Sequence, residues 1–370
     1  MESLPINYNR QNSNLKNNET IKIKHLIVFE FFSGIGGMHE ALKLINNISI
    51  EHIFPFDINL NANATYQHNF NIKPYAITIE SFSLNDYEKI IESIFNENES
   101  DNLYILWTMS PPCQPFTRQG NQEGIEDNRS NAFVHLMNNI FLKTKYLPDY
   151  FMLENVKNFE ISEANKMLID LLNNKKYNFL QFLLSPIQFN IPNSRLRFYL
   201  TASKIKNFSV NNYVNNENKI IQDLDLLFKD KIIESINIRN FINFDEKNDY
   251  ELNKKHYLSK SILDKKSCLS MDIALLENKS TNCFTKNYSR LFKGTGSILL
   301  VDSKKYENNV KPSILFGYLR FFTPKEILKF LFFGENFSFP KNISDKTKYR
   351  LLGNSINVKV VNALLDYLLN

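Results

Sequence analysis

The run "KHLIVFEFF" (24–32), followed at once by "SGIGG", constrains the fold more than any other stretch. A β-branched and aromatic run predicts a buried strand, and the glycines after it predict a tight turn. A helix is predicted next, because Met38, Ala41, Leu42 and Ile45 fall at i, i+3, i+4 and i+7 and share one face. The alternation recurs. "EHIFPFD" (51–57), "LYILWTM" (103–109) and "DYFMLENV" (149–156) read as strands, and "ANKMLIDLLNNK" (164–175) reads as a helix. "NFLQFLLSPIQF" (178–189) and "LRFYLTAS" (196–203) are further strand candidates. Strands alternating with helices predict parallel βαβ units, an open sheet and an α/β fold.

The pattern breaks down near residue 203. Residues 204–319 are charged and loop-rich and are expected to form a smaller second domain. Regularity returns at "FTPKEILKFLFF" (322–333), where Thr323, Pro324 and Glu326 make a capping box with proline at the first helical position. A last helix is predicted from Val358, Val361, Leu365 and Leu368, spaced 3, 4 and 3. Residues 1–22 read as a disordered tail. The main domain is therefore expected to combine 23–203 with 320–370.

The chain has 370 residues, 43% of them hydrophobic and 13% aromatic, enough to fill a large core. Lys+Arg 44 against Asp+Glu 39 leaves a net charge of +5, which permits a phosphate-bearing partner without demanding one. Cys113, Cys268 and Cys283 form neither a disulfide framework nor a zinc pattern, and no structural metal is expected. The first twenty residues lack a secretory core and no run reaches membrane-spanning length, so an intracellular protein with reduced thiols is expected.

Four stretches carry chemistry. In "FFSGIGG", Gly34 and Gly36 fit a dinucleotide fingerprint, but His39 stands where the third glycine belongs. Glycines alone also suit a plain tight turn. Asp57 ends the next strand at the distance where an acid bonds ribose hydroxyls. Turn plus acid fits a nucleoside cofactor without a diphosphate, such as S-adenosylmethionine.

"TMSPPCQPFTRQG" (108–120) fences Cys113 with Pro111, Pro112 and Pro115. Prolines exclude a helix and a central strand and leave a stiff extended loop. A thiol so framed is a candidate nucleophile. No histidine stands beside it, which disfavours a protease and points to a substrate that is itself electrophilic. Glu154, ending a strand in "MLENV", can be buried and serve as an acid, or else start a helix. Arg195 and Arg197, two apart, read as one strand face able to grip anionic or carbonyl oxygens, or as edge-strand surface charge.

Together these stretches resemble the cytosine-5 nucleic-acid methyltransferases. The likeness runs from about 25 to 203 and from 320 to 369: "FFSGIGG", "SPPCQPF", "ENV", "RLR" and "LLGNSI" occur in the family's order. It implies a Rossmann-like S-adenosylmethionine-dependent methyltransferase sheet with a smaller target-recognition domain. The cofactor pocket it implies takes Phe32, Ser33, Gly34, Ile35, Gly36, Gly37, Asp57, Ile58, Ser110, Asn354 and Ser355, with Glu80 of "TIESFS" the weakest member. The implied chemistry begins with Cys113 attacking carbon 6 of a cytosine. Glu154, in its acid form, bonds ring nitrogen 3, and Arg197 with Arg195 holds the base oxygen. Pro112, Gln114 and Asn155 line the base.

The segment "CFTKNYSRLFKGTGS" (283–297) resembles the tRNA-modifying branch of the family, as does the compact stretch before "RFFTP". That branch implies an anticodon-loop cytosine, with aspartate tRNA the usual substrate. A loop base is already unstacked, which spares much of the flipping cost. Tyr288, Arg290 and Lys293 are candidates for stacking and phosphate contacts, or members of an exposed loop. DNA methylation is the main alternative, and a silent nucleic-acid-binding protein a lesser one. A monomer in cytoplasm or nucleus is expected.

Overall fold

The computed structural model describes residues 23–97, 103–112, 131–208, 219–223, 236–242, 244–245, 248–307 and 311–370. Its first part runs β1 (Lys24–Phe31), α1 (Gly37–Leu42), β2 (Ile48–Phe56), α2 (Leu60–Phe70), α3 (Leu84–Glu97) and β3 (Leu103–Met109). It continues through α4 (Asn131–His135), β4 (Tyr150–Val156), α5 (Glu163–Asn174), β5 (Asn178–Leu184), β6 (Asn193–Ser194), β7 (Arg197–Ser203) and β8 (Ile220–Ile221). The main sheet has seven strands in the order β2-β1-β3-β4-β7-β5-β8.

The period of two decides the layers. Leu26 and Val28 of β1, Leu106 of β3 and Met152 of β4 face one side, where α1 packs. Ile27, Phe29, Trp107 and Phe151, from the alternate positions, face α3, α4 and α5 on the other. Both faces are covered, as a parallel sheet requires.

β2, β1, β3 and β4 are mutually parallel, as the alternation predicts. β7 departs from it, running antiparallel to both β4 and β5. The connection between β5 and β7 holds only a short 3-10 turn at Pro186–Phe189 and the two-residue β6. Parallel strands need a crossover of a dozen residues or more, usually a helix, whereas a short return reverses direction. "NFLQFLLSPIQF" is accordingly strand only to Leu184, and its second half is that turn. The reversal puts the first residue of β7, Arg197, opposite Val156 at the last rung of β4. The carboxyl ends of β2, β1, β3, β4 and β5 and the amino end of β7 therefore share one edge.

The rest of the chain holds α6 (Asp249–Asn253), α7 (Lys260–Leu263), β9 (Asp272–Leu275), β10 (Thr281–Asn282), β11 (Ser297–Leu300) and β12 (Leu319–Phe321). It ends with α8 (Pro324–Phe330), α9 (Asp345–Asn354) and α10 (Val358–Leu369). β12, β11 and β9 make a second sheet. Its Ala274, Ile298 and Leu300 belong to the same apolar cluster as Leu26, Val28 and α10. Residue 319, where the smaller domain is expected to end, lies within β12. The capping box at Thr323 and Glu326 forms as read from the sequence, and Val358, Val361, Leu365 and Leu368 are all buried. Glu326 also pairs with the fully buried Arg320, which holds Asp249 on its other side at 2.8 Å. No helix among the described residues is long and apolar enough to cross a membrane.

Candidate active site

The turn after β1 is held by backbone and by one acid. Phe32 and Gly34 take left-handed φ values of 57° and 55°, and Gly36 of 90°. Ser33 N–H donates to the Phe56 carbonyl, which ties the turn to the end of β2. The Asp57 carboxylate accepts from Gly34 N–H and from Asn59 N–H, both at 2.8 Å. Burial pushes Asp57 up from its ordinary range, and these two hydrogen bonds oppose the shift. A Cβ on Gly34 would meet nothing within 4 Å, so this backbone is open to a ligand. Gly36 differs. A Cβ there would collide with the rings of Tyr66 and Phe70, so its lack of a side chain serves packing.

This turn forms one end of a cavity of about 530 Å³ along the shared sheet edge. That volume suits a drug-sized or nucleoside-sized ligand. Phe32, Ser33, Gly34, Ile35, Gly37, Asp57, Ile58, Glu80, Ser110, Asn354 and Ser355 all line it. Of the predicted cofactor residues only Gly36 does not. The Ser33 hydroxyl is buried without a hydrogen-bond partner among the described residues, as a ligand-binding hydroxyl would be.

The other end holds Pro111, Pro112, Glu154, Asn155, Arg195 and Arg197. Glu154 is 5% exposed. One carboxylate oxygen accepts from Ser110 Oγ at 2.7 Å, and the other faces Arg197 Nε at 3.5 Å. Asn155 Nδ2 donates to the Pro111 carbonyl at 3.3 Å and so steadies the backbone leading to Pro112. Cys113 and Gln114 lie outside the described residues. Pro112, bonded to Cys113, is a wall of the cavity.

The two arginines do different work. Arg195 precedes β7 instead of sharing its face with Arg197, and it is 3% exposed. Its guanidinium donates to the carbonyls of Phe284, Gly353 and Ser355, and to Cys283 Sγ at 3.3 Å. It therefore ties β10 and the "LLGNSI" segment to β7, leaving Arg197 as the arginine placed beside the acid. Arg197 in turn approaches Cys283 Sγ at 3.6 Å. Burial pushes the Cys283 thiol up, but the Arg195 and Arg197 charges outweigh it and hold the thiol below its ordinary range.

Tyr288 is a correction. Its ring is packed in the core against Phe284 and Tyr349, and its hydroxyl donates to the Ser297 carbonyl at 2.8 Å. It is not free to stack on a base. Arg290 and Lys293 are exposed and do not line the cavity. Lys286, on the same segment, does line it. Sequence reasoning missed Lys286, since nothing in its spacing separates it from its neighbours. Cys283 was left without a role, and only its contact with two guanidiniums draws attention to it. Among the described residues no cluster of three potential metal ligands occurs.

The chain as a whole is similar to known proteins. The chain matches the family described as C-5 cytosine-specific DNA methylase over residues 26–370. It is 36% identical to a DNA (cytosine-5)-methyltransferase of Dictyostelium discoideum, over 94% of this chain and 95% of that one. It is 35% identical to a tRNA (cytosine(38)-C(5))-methyltransferase of Schizosaccharomyces pombe, over 94% and 98% of the two chains. Among solved structures, the Entamoeba histolytica methyltransferase EhMeth aligns with a TM-score of 0.76 at 30% identity, over 94% of this chain and 98% of that one.

Proposed function

The chain belongs to the C-5 cytosine methyltransferase family, and from that premise we propose that it methylates an anticodon-loop cytosine of tRNA, aspartate tRNA foremost, using S-adenosylmethionine and a covalent bond from Cys113. One observation carries the reading. A single cavity joins an acid-anchored glycine turn at one end to Glu154 and Arg197 at the other. That is the layout a nucleoside cofactor and a flipped base need to meet.

The residues present fit the cofactor. Asp57, already fixed by two backbone donors, is set to take ribose hydroxyls. Ile58 offers an exposed apolar wall, and the Ser33 hydroxyl is without a hydrogen-bond partner among the described residues. When bound, S-adenosylmethionine supplies a methyl group on a positively charged sulfur. The protein must make cytosine carbon 5 nucleophilic enough to take it. The Cys113 thiolate bonds carbon 6, and the ring's double-bond electrons move to carbon 5. Glu154 hydrogen-bonds ring nitrogen 3 and Arg197 the base oxygen, so that developing charge meets fixed partners. After carbon 5 is methylated, it loses its proton. The electron pair left behind re-forms the double bond and expels Cys113.

Asp57→Ala should weaken S-adenosylmethionine binding by about tenfold or more, since it removes a charge-assisted hydrogen-bond acceptor worth roughly 1.5–3 kcal/mol. Calorimetric titration measures this. Wild-type affinity in the variant would remove Asp57 from the pocket.

The choice of RNA follows the tRNA-modifying relative, while the Dictyostelium relative is named for DNA. Incubation with labelled cofactor and either total tRNA or duplex DNA separates the two. Label is expected in tRNA, at one anticodon-loop cytosine read by bisulfite sequencing. Label in DNA with none in tRNA overturns the assignment.

A further inference from the structure

Behind the glycine turn, lining no part of the cavity, lies a chain of buried polar side chains that methyl transfer does not use. Glu30 of β1 is 1% exposed. Its Oε2 accepts from the Tyr66 hydroxyl of α2 at 2.8 Å. The same hydroxyl lies 2.8 Å from His39 Nδ1 of α1. With the tyrosine proton directed to Glu30, the imidazole donates from Nδ1, and the order runs from His39 through Tyr66 to Glu30.

These contacts hold the turn from below. Through Tyr66, Glu30 is linked to His39 on α1. The Tyr66 ring lies under Gly36, where an added Cβ would stand 2.9 Å away, and His39 stacks on Phe70 at 4.1 Å. Glu30 Oε1 and Thr108 Oγ1 are both buried without a hydrogen-bond partner among the described residues, and the two residues are register neighbours on β1 and β3. No described cation pairs with Glu30. The charged group reaching it from β2 is Asp57, of like sign. On α1, Lys43 pairs instead with Glu40 at 3.1 Å. A buried carboxyl so surrounded is favoured in its neutral form.

We propose that Glu30, acting through Tyr66 and His39, is a positioning residue for the cofactor turn, and that it works in its proton-bearing form. The inference rests on the reading that this turn takes S-adenosylmethionine. Burial pushes Glu30 up to about 8 and His39 down to about 4, so both are uncharged at neutral pH. Tyr66 is pushed up by burial and keeps its proton. The support is fullest well below pH 8 and is lost as pH rises through that value and Glu30 ionises beside Asp57.

The test is S-adenosylmethionine binding to the full chain by calorimetry between about pH 6.5 and about pH 9.5, for wild type, Glu30→Gln and Tyr66→Phe, with thermal melts of each. Wild-type affinity should fall by up to about tenfold per pH unit above the Glu30 titration. The cofactor's own amine titrates nearby in all three proteins, so each variant is read against wild type. Glu30→Gln, neutral at every pH, should lose that part of the fall and keep neutral-pH affinity. Tyr66→Phe should bind about fivefold or more weakly at neutral pH, with kcat at saturating cofactor within about twofold, because Glu30 and His39 are left unpartnered. A wild-type pH profile in Glu30→Gln, or wild-type affinity in Tyr66→Phe, overturns the proposal. A wild-type chain that melts cooperatively yet binds no S-adenosylmethionine at any pH overturns the pocket assignment and this inference with it.

Discussion

Cys113→Ala is expected to lower methyl transfer by at least about 10⁴-fold, the scale on which removal of a covalent nucleophile acts. Without a bond at carbon 6, cytosine carbon 5 has too little electron density to react, and no neighbouring group replaces that bond. S-adenosylmethionine affinity should be unchanged, because Asp57 and the glycine turn stand at the far end of the cavity. The decisive measurement uses RNA carrying 5-fluorocytosine at the target position. Fluorine cannot leave as the carbon-5 proton does, so the wild-type chain should remain covalently attached, with the crosslink mapping to Cys113. The alanine variant should give none. A crosslink at another residue, or transfer surviving in the variant, would remove Cys113 from the chemistry.

Glu154→Gln should be the next most damaging change, lowering kcat by about 10²–10³-fold with little effect on cofactor binding. The amide keeps the shape of the carboxyl and one acceptor for the Ser110 hydroxyl. It cannot give a proton to ring nitrogen 3, and the amide alters the group that faces Arg197 Nε at 3.5 Å. The loss should fall on kcat and kcat/KM alike, because the missing interaction is made in the transition state. A raised KM for RNA at unchanged kcat would instead mark Glu154 as a uniform binding contact. The Cys113 crosslink should still form in this variant, more slowly.

Much of this was legible in the letters because strand ends and glycine turns leave strong local marks. Asp57 was found from its distance to the turn, and Glu154 from its place at the end of a strand. The direction of β7 was not legible. Local pattern shows a strand but not its sense, and the parallel arrangement expected from the alternation would carry the start of β7 to the opposite edge, away from Glu154. Only the short return after Leu184 forces the reversal. Arg195 and Arg197 looked equivalent for the same reason, since the partners that distinguish them, Ser355 for Arg195 and Glu154 for Arg197, are 160 and 43 residues away in the chain. Tyr288 was misjudged because an aromatic among cations reads as a stacking platform. Its partners, Phe284, Phe321 and Tyr349, assemble only in the folded core. Gly36 shares the glycine signature of Gly34, and only Tyr66 and Phe70 beneath it reveal that its work is packing.

The Arg195 guanidinium binds carbonyls at Phe284, Gly353 and Ser355, and Lys24, at the start of β1, reaches the carbonyl of Leu369. The first strand and the final helix are thus laced together, and the Glu154 end of the cavity is secured through Arg195 to residues 158 and 160 positions further along the chain. A nascent chain on the ribosome can pair its early strands while still lacking that closure. The Glu154 end of the cavity is thus walled only once contacts spanning more than 150 residues of chain have formed.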